Sequence, residues 1–233
     1  MNELGIIRYL NSIADFFLPR LCLGCSSKLE YKENIVCLSC IKNIKDADSK
    51  RINSEFERKF EEEKIISNFY SPFIFEKEGL LQDIIHSLKY SSNIKAGTFL
   101  GRLLFEKAEK KITDWNCDLL IPIPLHRVKK AERGYNQSYY ITKELSKLSK
   151  IKMDDSSVSR SKFTDSQTNY NLKERKENIS DAFKCRNGKN INGKSIILID
   201  DVITTGSTIT ECGKVLKEKG AKNIFALSIA IAD

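Results

Sequence analysis

The chain has 233 residues, with 39 Lys and Arg against 31 Asp and Glu, giving a formal charge of +8 and a sequence pI near 9.0. Its 41% hydrophobic and 30% charged content is that of a soluble globular chain, and no apolar run approaches the roughly 20 residues a membrane-spanning helix needs. The start is broken by Arg8, Asn11 and Asp15 and does not read as a signal peptide. The positive balance admits polyanionic partners, pyrophosphate and nucleic acid alike, without choosing between them.

Ile6, Ile7, Leu10, Ile13, Ala14, Phe17 and Leu18 recur at helical spacing and stop before Pro19, which predicts an amphipathic helix. Its polar face is not basic, so packing on its own protein is favoured over a membrane surface. Next come Cys22-x2-Cys25, eleven residues, and Cys37-x2-Cys40. Four thiolates at this spacing suit a closed, tetrahedral Zn2+ site, structural because no coordination position stays open. The rival, a redox Cys-x-x-Cys, needs a βαβ setting that is absent here. So small a module has little core, and the metal is expected to stabilise its fold. The seven cysteines cannot all pair; with four in knuckles they read as a reduced set, which implies the cytoplasm. Asp46 to Lys64 carries mixed charge, with Phe56 and Phe60 four apart. It is expected to be a partly helical linker with a solvated face.

The main domain begins near Ser67. Phe69 to Phe75 predicts a strand, at an edge because of Pro72. Gly79 to Tyr90 and Ile94 to Ile112 predict helices, and Asp118 to Ile123 a short strand. The basic loop from Leu125 to Gln137 carries Arg127, Lys129, Lys130 and Arg133, with Gly134 marking a special turn. Arginine grips phosphate in a planar fork and lysine acts as a point charge, so these cations suit a diphosphate; an exposed basic turn is the alternative. A helix is expected from about Asn136 to Leu148. His86 and His126 read as packing or hydrogen-bonding residues. Val158 to Lys162 predicts a strand, and the polar run from Thr164 to Asn178 predicts a mobile lid. Ile224 to Ala230 is the remaining strand, and Cys117, Cys185 and Cys212 are isolated, read as buried thiols.

The chain is organised around Ile196-Ile-Leu-Ile-Asp-Asp-Val-Ile-Thr-Thr-Gly-Ser-Thr208. Ile196 to Ile199 suits a strand buried on both faces of a parallel sheet. Asp200 and Asp201 follow at its carboxyl end, where open α/β sheets place ligands. Thr204, Thr205, Gly206, Ser207 and Thr208 then run into a helical pattern, and free amides at a helix start form an anion cradle. Two carboxylates for sugar hydroxyls and a cradle for a phosphate thus stand side by side. This stretch resembles the phosphoribosyl pyrophosphate (PRPP) signature of type I phosphoribosyltransferases. That resemblance implies an α/β fold with a parallel sheet and a flexible hood.

The whole arrangement resembles the ComF/ComFC family, which joins a four-cysteine module to a phosphoribosyltransferase domain. The further marks are His86-Ser-Leu-Lys-Tyr90, Pro122-x-Pro-Leu-His126, Arg133-Gly-Tyr-Asn-Gln137, Thr164-x2-Gln167, Arg175-x2-Asn178 and Ala182-Phe183. The implied division is a helix and zinc-ribbon or knuckle module over 1–45, a charged linker over 46–66 and the phosphoribosyltransferase domain over 67–233. The resemblance also implies that Arg127 to Gln137 is the pyrophosphate loop, that Thr164, Gln167 and Arg175 belong to the hood, and that Asp200 to Thr208 binds PRPP. It links the chain to natural competence, the competence machinery and incoming single-stranded DNA. The expected chemistry is pentosyl transfer from PRPP with Mg2+, to an acceptor that no motif names. The alternative is a single-stranded-DNA-binding factor that keeps the fold without turnover, with Tyr135, Tyr139 and Tyr140 as the aromatics near the cations.

Overall fold

The apolar run after Gly193 forms the centre of a parallel sheet. The computed structural model describes residues 19–162 and 182–232; the expected amino-terminal helix and the hood residues Thr164, Gln167 and Arg175 lie outside them. In chain order the helices are α1 (Leu38–Lys42), α2 (Ser49–Phe56), α3 (Leu80–Tyr90), α4 (Ile94–Trp115), α5 (Arg127–Arg133), α6 (Gln137–Ser149) and α7 (Ser207–Glu218). The strands are β1 (Asn68–Tyr70), β2 (Phe73–Ile74), β3 (Leu119–Pro122), β4 (Lys152–Met153), β5 (Val158–Arg160), β6 (Phe183–Cys185), β7 (Ser195–Ile203) and β8 (Asn223–Ile231). The main sheet has the order β1-β8-β7-β3-β4, with β2 also on β8; all these pairings are parallel. β5 and β6 form a separate antiparallel pair.

Successive side chains of a strand point to opposite faces, and here both faces are dry. Ile197, Ile199 and Leu227 belong to one apolar cluster with Leu81, Ile84, Leu88, Leu100 and Leu104 of α3 and α4. Ile196, Leu198 and Ala226 belong to the other, with Ile209, Cys212 and Leu216 of α7. Helix α4 lies close against α6, where a Cβ on Gly101 would stand 2.7 Å from the Ile141 carbonyl oxygen. The Arg102–Glu144 ion pair, at 2.8 Å, ties the same two helices. The four-cysteine module joins the first cluster through Cys22, Leu29, Ile35 and Val36.

Several expectations change. The central strand does not stop at Ile199 but runs to Ile203, because Val202 and Ile203 find partners in Ala230 and Ile231. The basic loop contains a helix, Arg127–Arg133. Its residues are good helix formers, the His126 ring caps its start by accepting from the Val128 amide, and Gly134 ends it at a positive φ of 80°. Pro72 does lie at the edge, between β1 and β2. The linker has a buried side beside its solvated one: α2 continues into a π turn, Glu57–Glu61, and Phe60 and Glu55 are 1% and 3% exposed. Of the isolated thiols Cys212 is buried, whereas Cys117 and Cys185 are half-buried.

Candidate active site and four-cysteine cluster

Strand β7 delivers Asp200 and Asp201 side by side near its carboxyl end. Each carboxylate accepts from the amide of the next residue, Asp200 Oδ1 from Asp201 N and Asp201 Oδ1 from Val202 N, both at 2.9 Å. Their remaining partners differ. Lys89, the penultimate residue of α3, sets its ammonium 2.5 Å from Asp201 Oδ2. The Ser138 hydroxyl of α6 donates to Asp200 Oδ1 at 3.0 Å.

The difference divides the pair electrostatically. Burial opposes ionisation of Asp201, but the Lys89 ammonium overcomes it and holds the carboxyl below the usual carboxylate range. Lys89 is raised in turn by the Asp201 charge, against the effect of its own burial. Asp200 is pushed up by burial first and by the charge of Asp201 second, to about 7. Arg160 of β5 feels the Asp200 charge and lies over the Phe183 ring, 5.5 Å from its centroid.

Beyond Ile203 the chain bends through Thr204, Thr205 and Gly206 into α7. Gly206 caps the helix at φ 79°, a left-handed conformation that a side chain disfavours. Thr205 Oγ1 and Ser207 Oγ are 2.9 Å apart, and Ser207 N donates to Thr205 Oγ1 at 3.3 Å. The first amides of a helix lack intrahelical acceptors, so this turn presents donors and hydroxyls to an anion.

The cations expected to face a diphosphate separate into two kinds. Arg127 and Lys130 are exposed on α5, and Lys129 is half-buried. Arg133 is turned inward: it donates to Gln137 Oε1 at 3.1 Å, covers the Tyr90 ring at 5.3 Å and lies within electrostatic reach of Lys89. Lys89, Ser138 and Arg160 were given no role by the sequence reading. Lys89 could have been suspected, since it is a cation ending a helix whose Leu81, Ile84, Ile85 and Leu88 are buried. His86 packs against Tyr90, with ring centroids 4.5 Å apart and the rings tilted by 42°, and His126 is a helix cap, in keeping with the packing and bonding roles expected of them.

The four cysteines meet as their spacing implied. One sulfur from each of Cys22, Cys25, Cys37 and Cys40 lies within 4.8 Å of all the others, and Cys25 and Cys37 are 3.7 Å apart. Tetrahedral ligation at about 2.3 Å sets sulfurs about 3.8 Å apart. Backbone amides of Gly24 and Cys37 donate to Cys22 Sγ at 3.4 and 3.3 Å. The donor set fits Zn2+.

The model of the phosphoribosyl transferase domain matches residues 135–232, which contain both carboxylates and the loop after them. Competence protein F of Haemophilus influenzae is 28% identical over 229 residues, covering 91% of this chain and 96% of that protein. DNA utilization protein YhgH of Escherichia coli is 31% identical over 144 residues, covering 60% and 63%. Competence protein ComFC of Bacillus subtilis is 31% identical over 105 residues, covering 44% and 39%. These relatives and the matched domain support the resemblance to the ComF family. The matched domain contains Asp200, Asp201, Ser138 and Thr204 to Thr208, whereas Lys89 comes from a helix that precedes it. Among the described residues, no helix is long and apolar enough to cross a membrane.

Proposed function

We propose that this chain binds PRPP with Mg2+ and transfers its pentosyl group, in the handling of DNA from which its relatives take their names. The observation that carries the reading is one strand-turn-helix unit holding a half-buried Asp200 and a buried Asp201 directly before an open helix start. Asp200 and Asp201 accept from the ribose hydroxyls. The amides and hydroxyls of Thr204 to Thr208 hold the 5-phosphate. Lys89 and Arg133, with Arg127, Lys129 and Lys130 on the neighbouring helix, face the diphosphate.

The bond between the anomeric carbon and the diphosphate oxygen breaks, and the electron pair leaves with the diphosphate. Cations aimed at that developing charge lower the barrier. Mg2+ bound with PRPP would supply further neutralisation of the diphosphate. The carboxylates oppose the positive charge left on the sugar, which the acceptor then attacks. Lys89 exchanges Asp201 for the diphosphate as the ribose hydroxyls reach the carboxylate.

We further propose a structural Zn2+ on Cys22, Cys25, Cys37 and Cys40. The reduced thiols of this site suit the cytoplasm.

The deciding test is thermal melting with PRPP and Mg2+. At a hundredfold excess over Kd a ligand stabilises by about 2.7 kcal/mol, roughly 5–10 °C at about 2–4 °C per kcal/mol. The shift should vanish in the Asp200→Asn/Asp201→Asn double variant. No shift in the wild type sinks the assignment.

One observation favours a second reading, single-stranded DNA on the same mouth. Tyr90 is 62% exposed, with Arg133 over its ring. The tyrosines expected to stack are less available: Tyr135 donates its hydroxyl to the Leu88 carbonyl and meets Tyr140 edge-on. Strand binding that weakens steeply with salt and is lost in Tyr90→Ala would support it; salt-independent binding would exclude it.

A further inference from the structure

We propose that Lys59, which lies outside the matched domain, is a positioning residue for the phosphate loop: it fixes the direction of the Thr204–Thr205 peptide so that the Thr205 amide faces the ligand. The inference rests on the reading of Thr204 to Thr208 as the 5-phosphate site. Lys59 Nζ donates to the Thr204 carbonyl and, at 3.2 Å, to the Ala232 carbonyl. The peptide between Thr204 and Thr205 is trans, as every described peptide is. In a trans peptide the carbonyl and the amide on either side of the C–N bond point in opposite directions. Pulling the Thr204 carbonyl towards Lys59 therefore turns the Thr205 amide away from it, to the open side of the loop. Ala232 closes the arrangement, since its amide donates to the Ile203 carbonyl at 2.9 Å. The ammonium thus ties the end of β7 to the residue after β8.

The brace is built for rigidity. The Lys59 side chain is 3% exposed, and Glu55, at 4%, holds it at 2.8 Å. Glu55 also takes Arg51 at 2.9 Å and Arg58 at 2.6 Å, so the carboxylate is not left alone when the lysine reaches outward. Burying an ammonium costs several kcal/mol, and here the ammonium is directed at two main-chain carbonyls beside the candidate site. The next residue completes the contact: a Cβ on Gly206 would stand 2.8 Å from the Phe60 ring and 3.2 Å from Lys59 Cβ. Both residues belong to the π turn Glu57–Glu61, a rare form of helix that occurs frequently at functional sites.

The test uses the full chain and three variants, with affinity measured by calorimetry and amide exchange followed by mass spectrometry. Lys59→Met keeps the stem and removes the ammonium. It should weaken ribose 5-phosphate about tenfold or more, a loss of about 1.4 kcal/mol per tenfold. It should leave inorganic pyrophosphate with Mg2+ unchanged, and speed exchange at the Thr205 to Thr208 amides. Lys59→Arg should recover most of the affinity. Arg58→Met, which removes a different partner of Glu55, should match the wild type in both readouts. Ribose 5-phosphate binding within twofold of wild type in Lys59→Met overturns the inference, as does an equal loss of both ligands, which would mark general destabilisation. If the wild type itself binds neither ribose 5-phosphate nor PRPP, the reading of the loop fails and the inference falls with it. If the wild type binds and Lys59→Met binds equally well, the brace alone fails.

Discussion

The molecule gathers groups of like charge in two places and balances them in opposite ways. In the cysteine module four sulfurs lie within 4.8 Å of one another, and the contacts to Cys22 Sγ come from neutral backbone amides. At the sheet's carboxyl end two carboxylates are adjacent, but Lys89 is already in contact with one of them. The first arrangement needs an added cation to be stable as thiolates. The second is stable when empty, because the protein carries its own counter-charge, and it can change partner when a ligand arrives. The cysteine cluster therefore suits a permanently held cation, and the carboxylate pair suits an exchange of partners.

The largest test of that contrast is Cys25→Ser. Cys25 is exposed, so the change removes a metal ligand without opening a core cavity. Structural zinc contributes about 10–16 kcal/mol in small modules. Loss of one ligand should lower Tm by at least roughly 10 °C at about 2–4 °C per kcal/mol, and metal analysis should fall below stoichiometric zinc. Because Cys22, Leu29 and Val36 share a cluster with α3, the fall should appear in the main transition. A separate small step would mean that the module melts alone. An unchanged Tm with no metal in the wild type would end the zinc assignment.

Next in size is Lys89→Met. Removing one partner of a buried ion pair costs about 3–5 kcal/mol, and the loss should be read by melting at pH 8, where both carboxylates are ionised. Adding Asp201→Asn should restore most of the stability and none of the PRPP binding. A single variant as stable as wild type would show that the empty site does not depend on its own counter-charge.

Lys89 also illustrates what the sequence could and could not disclose. The carboxylate pair at a strand end and the turn into a helix were legible because one contiguous run holds them, and the cysteine cluster because metal geometry constrains spacing. Lys89, Ser138 and Arg160 are brought to Asp200 and Asp201 by three separate elements; Lys89 carries a local hint as a cation ending an apolar helix, and nothing in the local pattern of Ser138 or Arg160 states the meeting. The basic loop hid a helix because its charges drew attention away from its helix formers and its Gly134 stop. The linker's fate had a signal that was outweighed: Phe56 and Phe60 are four apart, and Phe60 packs on Phe69 at 5.5 Å. The amino-terminal helix and the hood residues lie outside the described chain, so the structure bears on neither expectation.

A third variant, Asp200→Asn, should raise stability. Asp200 titrates at about 7 in the folded chain, against about 3.9 in an unfolded one. An acid raised in this way costs stability progressively as pH climbs from about 4 to 7, and the cost is constant above that. Asp201 has the opposite sign, but its contribution is already complete above its ordinary value and is lost only in strong acid. Between pH 5 and 8 the Asp200 slope should therefore dominate the pair. Asp200→Asn should gain several degrees at pH 8 over wild type and only about a third as much at pH 5. Equal gains at both would mean that packing, not charge, separates the two side chains.

The smallest effect should come from Ser138→Ala. The Ser138 hydroxyl donates to Asp200 Oδ1, a bond that favours the ionised carboxylate and restrains the upward shift. Hydrogen bonds to charged groups contribute about 1.5–3 kcal/mol and neutral ones about 0.5–1.5 kcal/mol. The variant should therefore be destabilised by about 1 kcal/mol more at pH 8 than at pH 5, and Asp200 should titrate higher than before. The sign is opposite to that of Asp200→Asn, although both act on one carboxylate, because one removes the charge and the other removes its donor. Following the carboxyl by NMR while melting both variants across pH 5 to 8 separates these causes. A Ser138→Ala loss that is flat across that range would make the serine only the neutral first-turn residue of α6, and would leave the Asp201–Lys89 pair as the sole difference between the two carboxylates.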